Sequence, residues 1–246
     1  MKKSKTLILT AASAFTFMFT SCFNLSNLIN VTDSGGSDSL EISKTESQEK
    51  MKQLGSTKGY EITLEIKDAD SDGNSNEELY TYGYKDDCFW IIKDNDGDAC
   101  KKDGEKLHFY DATRESNGNI SYTYDYSLDS SDNSIDETFN TLSYQTNVFL
   151  YWTNDYDGNL KKTGSTTVAG RACTHYTYGS SANIMGLYAG VQYDIDVDNE
   201  TGITMQVKWD ASTNEGSASY YHKVTSFKTG NDVQVPDFPE PTESED

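Results

Sequence analysis

Strict alternation of apolar and polar residues recurs through this chain, and it limits the fold more than any other feature. Successive side chains of a β-strand point to opposite faces of a sheet, so a period of two describes a strand wetted on one side only. In Tyr60–Lys67, Tyr60, Ile62, Leu64 and Ile66 share a face against Glu61, Thr63, Glu65 and Lys67. Ile120–Leu128 repeats the pattern with Ile120, Tyr122, Tyr124, Tyr126 and Leu128, as do Val191–Asp198 and Ile203–Trp209. Further strands are predicted at Leu79–Lys85, Cys88–Lys93, Lys106–Ala112, Thr166–Tyr178 and Ser217–Phe227. Asn117-Gly118 signals a hairpin, and Asn199-Glu200-Thr201-Gly202 closes another, with Gly202 free to take a positive φ. All 3 prolines fall in Pro236–Pro241, so nothing between Thr45 and Val235 interrupts a sheet.

A sheet with one apolar face needs a cover. Two segments carry helical spacing. Ser47–Leu54 is short. Asn133–Trp152 places Ile135, Phe139, Leu142 and Phe149 near a 3.6-residue period, with Asp136 and Glu137 where the helix dipole favours anions. A third short helix is expected at Ser181–Ala189. The predicted order is helix, five strands, helix, four strands, in a single β-rich domain over residues 46–236.

The N-terminus has another purpose. Lys2, Lys3 and Lys5 precede an apolar run, Leu7 to Thr20, which is shorter than the roughly 20 residues of a spanning helix and fits an export signal. Phe19-Thr20-Ser21-Cys22 resembles the bacterial lipobox, with Phe19 in place of the usual Leu. The resemblance implies a signal peptide over 1–21 and a diacylglycerol thioether on Cys22. More than one acyl chain on that cysteine gives a stable membrane anchor. Residues 22–45, rich in Ser, Asn, Asp and Gly, are expected to form a flexible tether, and 237–246 a disordered acidic tail.

The chain carries 20 basic and 40 acidic residues, a formal net charge of −20, and Arg114 and Arg171 are its only arginines. Nucleic-acid binding draws on Lys and Arg to neutralise phosphates, so that function is excluded. Three of the 4 cysteines lie in the domain. One bridge is expected first between Cys88 and Cys100, which flank the same short connection; an all-reduced set is the alternative.

Asp94, Asp96, Asp98 and Glu105 match positions 1, 3, 5 and 12 of a calcium loop, but Ala99 replaces the turn glycine and Lys101 the apolar residue. Asp68-Ala69-Asp70-Ser71-Asp72-Gly73 opens similarly. Turn chemistry explains both runs more simply, and no metal set is assigned. His108, His175 and His222 lie in separate strands and read as packing or surface residues. No nucleophile elbow, phosphate loop or His-Glu-x-x-His pattern occurs, so no catalytic residue and no cofactor is expected. The 17 tyrosines read foremost as core lining with hydroxyls at the rim, and otherwise as a binding surface.

The order of elements over about Ser47 to Pro236 resembles the LolA/LolB/LppX-like superfamily of envelope lipoprotein carriers, with the specific residues in the last third of the chain. The resemblance rests on Val168–Tyr176, on Tyr193–Asp198 followed by Glu200-Thr201-Gly202-Ile203, and on Val233-Gln234-Val235-Pro236. It implies a single curved antiparallel sheet, an unclosed half-barrel, wrapped around helices. The function it implies is non-enzymatic: an envelope lipoprotein holding a lipid or acyl chain in the concavity. The alternative is a surface adhesion module of tyrosine-rich faces and acidic loops, with or without calcium.

Overall fold

The computed structural model describes residues 30–33, 36–69, 74–129, 135–145, 150–151, 160–184, 187–214 and 216–241. The signal peptide expected over 1–21, and Cys22, lie outside the described residues.

The strands are β1 (Asn30–Asp33), β2 (Tyr60–Ala69), β3 (Ser75–Lys85), β4 (Cys88–Lys93), β5 (Asp96–Asp103), β6 (Lys106–Arg114), β7 (Ile120–Asp129), β8 (Lys161–Val168), β9 (Arg171–Ile184), β10 (Leu187–Asp198), β11 (Thr204–Thr213) and β12 (Ser217–Thr229). They form one sheet in the order β1-β9-β10-β11-β12-β2-β3-β4-β5-β6-β7, with β8 beside β1 on the free side of β9. Every pairing is antiparallel. The sheet does not close, since β7 ends one side of the order and β1 with β8 the other. The alternation predicts the antiparallel strands, and the unclosed half-barrel is the one that the resemblance implies.

Two helices, α1 (Lys44–Thr57) and α2 (Ile135–Gln145), cover the concave face. Ser43 caps α1 by accepting a hydrogen bond from the Glu46 backbone N–H, which satisfies one of the donors a helix start leaves unpaired. The helix docks through Met51 and Gly55. A Cβ at Gly55 would stand 2.4 Å from the Tyr84 ring, so only glycine lets α1 approach β3 this closely. Met51 joins Tyr60, Ile62, Leu64, Tyr80, Tyr82, Leu150, Met205 and Val224 in the largest core cluster. Ile135, Phe139 and Leu142 of α2 cover Phe89, Cys100, Leu107 and Phe109 of β4–β6. Each of these burials contributes roughly 1.5–3 kcal/mol per large side chain.

Several expectations are corrected. Asp96–Asp103 is a strand paired on both sides, not a loop. Asp94 takes the turn itself at φ +52°, and its carboxylate accepts the Leu79 N–H at 2.9 Å. Glu105 therefore lies a full strand away, roughly 25 Å at 3.3 Å per residue, and cannot close on a cation held by Asp94. In place of the helix expected at Ser181–Ala189, residues 181–184 end β9 and 187–189 begin β10, with Leu187 paired to Ile184. Part of the expected tether belongs to the sheet, since Val31 pairs with Ala182 and Leu40 is buried. The second half of Asn133–Trp152 falls mostly outside the described residues; Leu150 and Tyr151 lie in the core.

The cysteine expectation fails for a reason set by register. Phe89 pairs with Cys100 and Cys88 with Lys101, so the two thiols sit one position out of step on neighbouring strands and face opposite sides. Cys88 lies in the outer cluster with Trp90 and Tyr110, Cys100 in the inner one with Phe89 and Phe139. Both are free, as is Cys173. Burial raises the Cys88 and Cys173 thiols to about 11 and Cys100 to about 12, which removes the reactive thiolate. All three are expected to resist a thiol reagent in the folded protein and to react on unfolding, with no reductant needed; a bridge that survives unfolding would contradict this.

Candidate binding face

Cross-strand register lines up aromatic rings on the concave face. Tyr178 pairs with Tyr193, Tyr193 with Trp209, and Trp209 with Tyr220. The ring centroids follow at 5.6, 6.4 and 6.1 Å, within the range of favourable aromatic contact. Four adjacent strands thus carry one continuous row. Tyr193 and Tyr220 are buried, while Trp209 and Tyr178 are half-buried.

Tyr80 and Tyr82, stacked at 5.9 Å, stand on β3 in the same cluster as Tyr220. Tyr80 donates its hydroxyl to Glu78 at 2.9 Å, and Lys93 pairs with the same carboxylate. Burial, then the Glu78 hydrogen bond and charge, push the Tyr80 phenol up to about 12. It remains a neutral donor. The aromatic area therefore ends in a hydrogen-bonding, charged group rather than in more hydrocarbon.

The helices cover a different part of the concavity. Between α1, α2 and the sheet, Met51, Lys52, Tyr60, Tyr84, Asn140, Ser143 and Tyr151 enclose about 10 Å³, room for about one water.

Polar chemistry concentrates at the β9–β10 end. Arg171 grips Asp198 with two hydrogen bonds, at 2.7 and 2.8 Å. Asp198 also accepts from the Thr201 backbone N–H at 2.8 Å and its hydroxyl at 2.6 Å. That explains the Asp-turn-Thr-Gly pattern: the aspartate ties the hairpin, and Gly202 supplies φ +76°. His175 contacts Asp196 at 2.7 Å, and Asp196 accepts from Gln206 at 3.0 Å. His108 meets Ser127 at 2.7 Å, and His222 is buried under the concave face. The histidines do not converge, and among the described residues no group of three or more His, Cys, Asp or Glu is placed to hold a metal.

The tyrosine runs divide. Tyr80, Tyr82 and Tyr84 line the concave core as expected. The second run does not keep to one face, because the β6–β7 register shifts between Phe109 and Tyr110. Tyr122 and Tyr124 fall on the outer face; Tyr126, 45% exposed, stacks on Phe109 at 4.6 Å. A bulge of one residue changes the side on which all later residues point. The aromatic row itself is not visible in any one strand. It needs the register of four, although Tyr178, Tyr193, Trp209 and Tyr220 each sit in a strand that the alternation predicts.

The fold defines an unclosed antiparallel half-barrel with helices inside. No protein-family model and no curated protein matches the chain. Solved structures similar to it include MucB of Pseudomonas aeruginosa in complex with MucA, at 11% identity and a TM-score of 0.32, covering 78% of this chain and 59% of that one. A putative outer membrane lipoprotein-sorting protein domain from Vibrio parahaemolyticus is similar at 8% identity and TM-score 0.25, covering 80% and 94%. A LolA superfamily protein from Nitrosomonas europaea is similar at 9% and 0.24, covering 80% and 96%. This chain spans about 60% of the MucB chains it matches. Superpositions at these TM-scores carry no argument about activity.

Proposed function

We propose that this is a non-enzymatic cell-envelope lipoprotein, anchored through lipid on Cys22, which holds a hydrophobic ligand against the aromatic row of its concave face. The observation that carries the reading is the row itself: Tyr178, Tyr193, Trp209 and Tyr220 in register across four strands. Rings of this kind offer apolar area at low entropic cost. Glu78, Lys93 and Tyr80 give the ligand's polar end a place to bond.

Titration of the soluble domain with a dansylated fatty acid tests the site. Trp209→Ala is expected to weaken binding at least ten-fold, since removing one central aromatic anchor costs about 2 kcal/mol or more. Equal affinity in the variant would remove the row from the site. The anchor is tested separately. A Cys22→Ser chain is expected to lose labelled palmitate and leave the membrane fraction; retention of both would end the lipoprotein reading.

Surface interaction is the second reading, and Tyr126 and Leu128 favour it, exposed at 45% and 42% on the edge strand β7. Its calcium version loses the Asp94–Glu105 loop, because Asp96 and Asp98 lie in a paired strand; residues 70–73 of the other acidic run lie outside the described residues.

A further inference from the structure

One end of the sheet is set apart by what it lacks. Between Arg171 and Asp194 the chain has no Asp, Glu, Lys or Arg, although 24% of its residues are charged. That stretch carries most of β9 and β10, which meet where Leu187 pairs with Ile184. Beside this end Asn30 of β1 pairs with Asn183, and Ser212 and Thr213 of β11 pair with Gly190 and Ala189. Tyr188 stands there 44% exposed, its backbone N–H donating to the Asn214 side chain at 2.6 Å. On the face that bears the aromatic row, Ala189, Val191, Ala211 and Ala218 lie between the row and this end. Acidic residues return at Asp33, opposite Ser180, at Asp210, which Lys208 meets at 2.9 Å, and at Glu215, outside the described residues. The other end of β9 and β10 is densely charged, with Arg171 held between Asp198 and Glu200.

The path of the chain says what this end faces. β1 runs from Asn30, opposite Asn183, to Asp33, opposite Ser180, so the chain before Asn30 arrives from the β9–β10 end. Eight residue steps separate Cys22 from Asn30, with no charged residue among them. Fully extended, they reach at most roughly 29 Å. β10 has 12 residues, a length of about 40 Å at 3.3 Å per residue. A domain standing on its Arg171–Asp198 end would lift Asn30 beyond the reach of a lipid-bearing Cys22. Standing on the Asn30 end, it lies well within that reach. Charge agrees. A domain of net charge −20 is repelled by the negative potential of an anionic leaflet, so the end poorest in carboxylates approaches it at least cost. Tyrosine is among the residues that the headgroup region accommodates best.

We infer that the β1–β9–β10 end of the sheet, with Tyr188, rests against the headgroups of the bilayer that holds Cys22. The inference builds on the Cys22 anchor proposed above, and the test separates the two. Full-length protein carries one new thiol, Ser212→Cys at this end or Glu105→Cys at the opposite end, both at exposed positions. Cys88, Cys100 and Cys173 are buried, so an environment-sensitive dye marks the new thiol. Each protein is floated on phosphatidylcholine vesicles that carry a nitroxide on the headgroup. The label at position 212 is expected to be quenched at least three-fold more than the label at 105. Tyr188→Asp should bring the first value towards the second while flotation is retained. Tyr188→Ser gives the same reading should aspartate disturb the strand. Equal quenching of both labels on floated protein would overturn the contact and leave the anchor standing, as would a signal at 212 that neither substitution changes. A chain that does not float would end the anchor and the contact together.

Discussion

Arg171→Ala is expected to destabilise the folded domain by about 3–5 kcal/mol, the usual cost of stranding one member of a buried ion pair. Asp198 is 1% exposed in its side chain and Arg171 18%, so water cannot replace the lost guanidinium. Burial alone would raise the Asp198 carboxyl. The hydrogen bonds from Arg171 and Thr201 outweigh it and hold the group below the ordinary carboxylate range. The substitution also removes a cation from the Phe227 ring, 4.4 Å away. At about 2–4 °C per kcal/mol for a domain of this size, the melting midpoint should fall by roughly 10 °C. Arg171→Lys should recover only part of it, because an ammonium cannot make the paired contact of a guanidinium. Arg171→Ala combined with Asp198→Asn should lose less than Arg171→Ala alone, since the stranded charge is gone. Thermal melts of the four proteins check all three statements.

His222 should make the domain sensitive to mild acid. The ring is fully buried between Ile66 and Val207 in the sheet register. Burial lowers its pKa to about 4 against an opposing hydrogen bond with the Thr204 backbone. An unfolded histidine titrates near 6.5. The folded state therefore binds the proton less readily than the unfolded one. The stability His222 contributes is complete above about pH 6.5 and is lost as the pH falls towards 4. At about 1.4 kcal/mol per tenfold change in proton affinity, the loss comes to about 3 kcal/mol. Denaturant titrations between pH 7 and 4 should show this slope in the wild type and not in His222→Leu. Parallel profiles for the two would assign the acid sensitivity to other groups.

Much of the architecture was legible because burial on a pleated surface writes itself into alternate positions. Tyr60–Ile66 and Val191–Val197 present the faces that the alternation predicts. β5 was not legible: Asp96, Gly97 and Asp98 carry no apolar rhythm, and the strand exists because β4 and β6 pair with it on either side. The β9–β10 tip was misread for a related reason, since Ser181 and Ala182 have no strong preference and the hairpin partner decides. The Cys88–Cys100 bridge failed on register, which proximity in sequence does not specify. A single bulge put Ile120, Tyr122 and Tyr124 on the outer face, away from Tyr126 and Leu128, where strict alternation had all five on one side. The site was half legible, in that its tyrosines could be named as a lining but the row needs four strands aligned. The packing of Val233, Val235 and Phe238 on the outer face beside Trp90 and Tyr110, where a disordered tail was expected from 237 onwards, had one signal in the sequence, the apolar-x-apolar-Pro exit at Val233–Pro236. That pattern marks the end of a domain as readily as a segment folded back upon it.

The central claim is that a greasy molecule rests on the rings of the concave face. Mass spectrometry of the organic extract from protein purified out of its native host tests it most directly, run beside a Trp209→Ala sample prepared the same way. The account predicts one lipid or fatty-acid species near one equivalent per chain in the wild type, depleted several-fold in the variant. An extract with no lipid beyond what the proposed acylation of Cys22 accounts for, or one unchanged by the substitution, would contradict it.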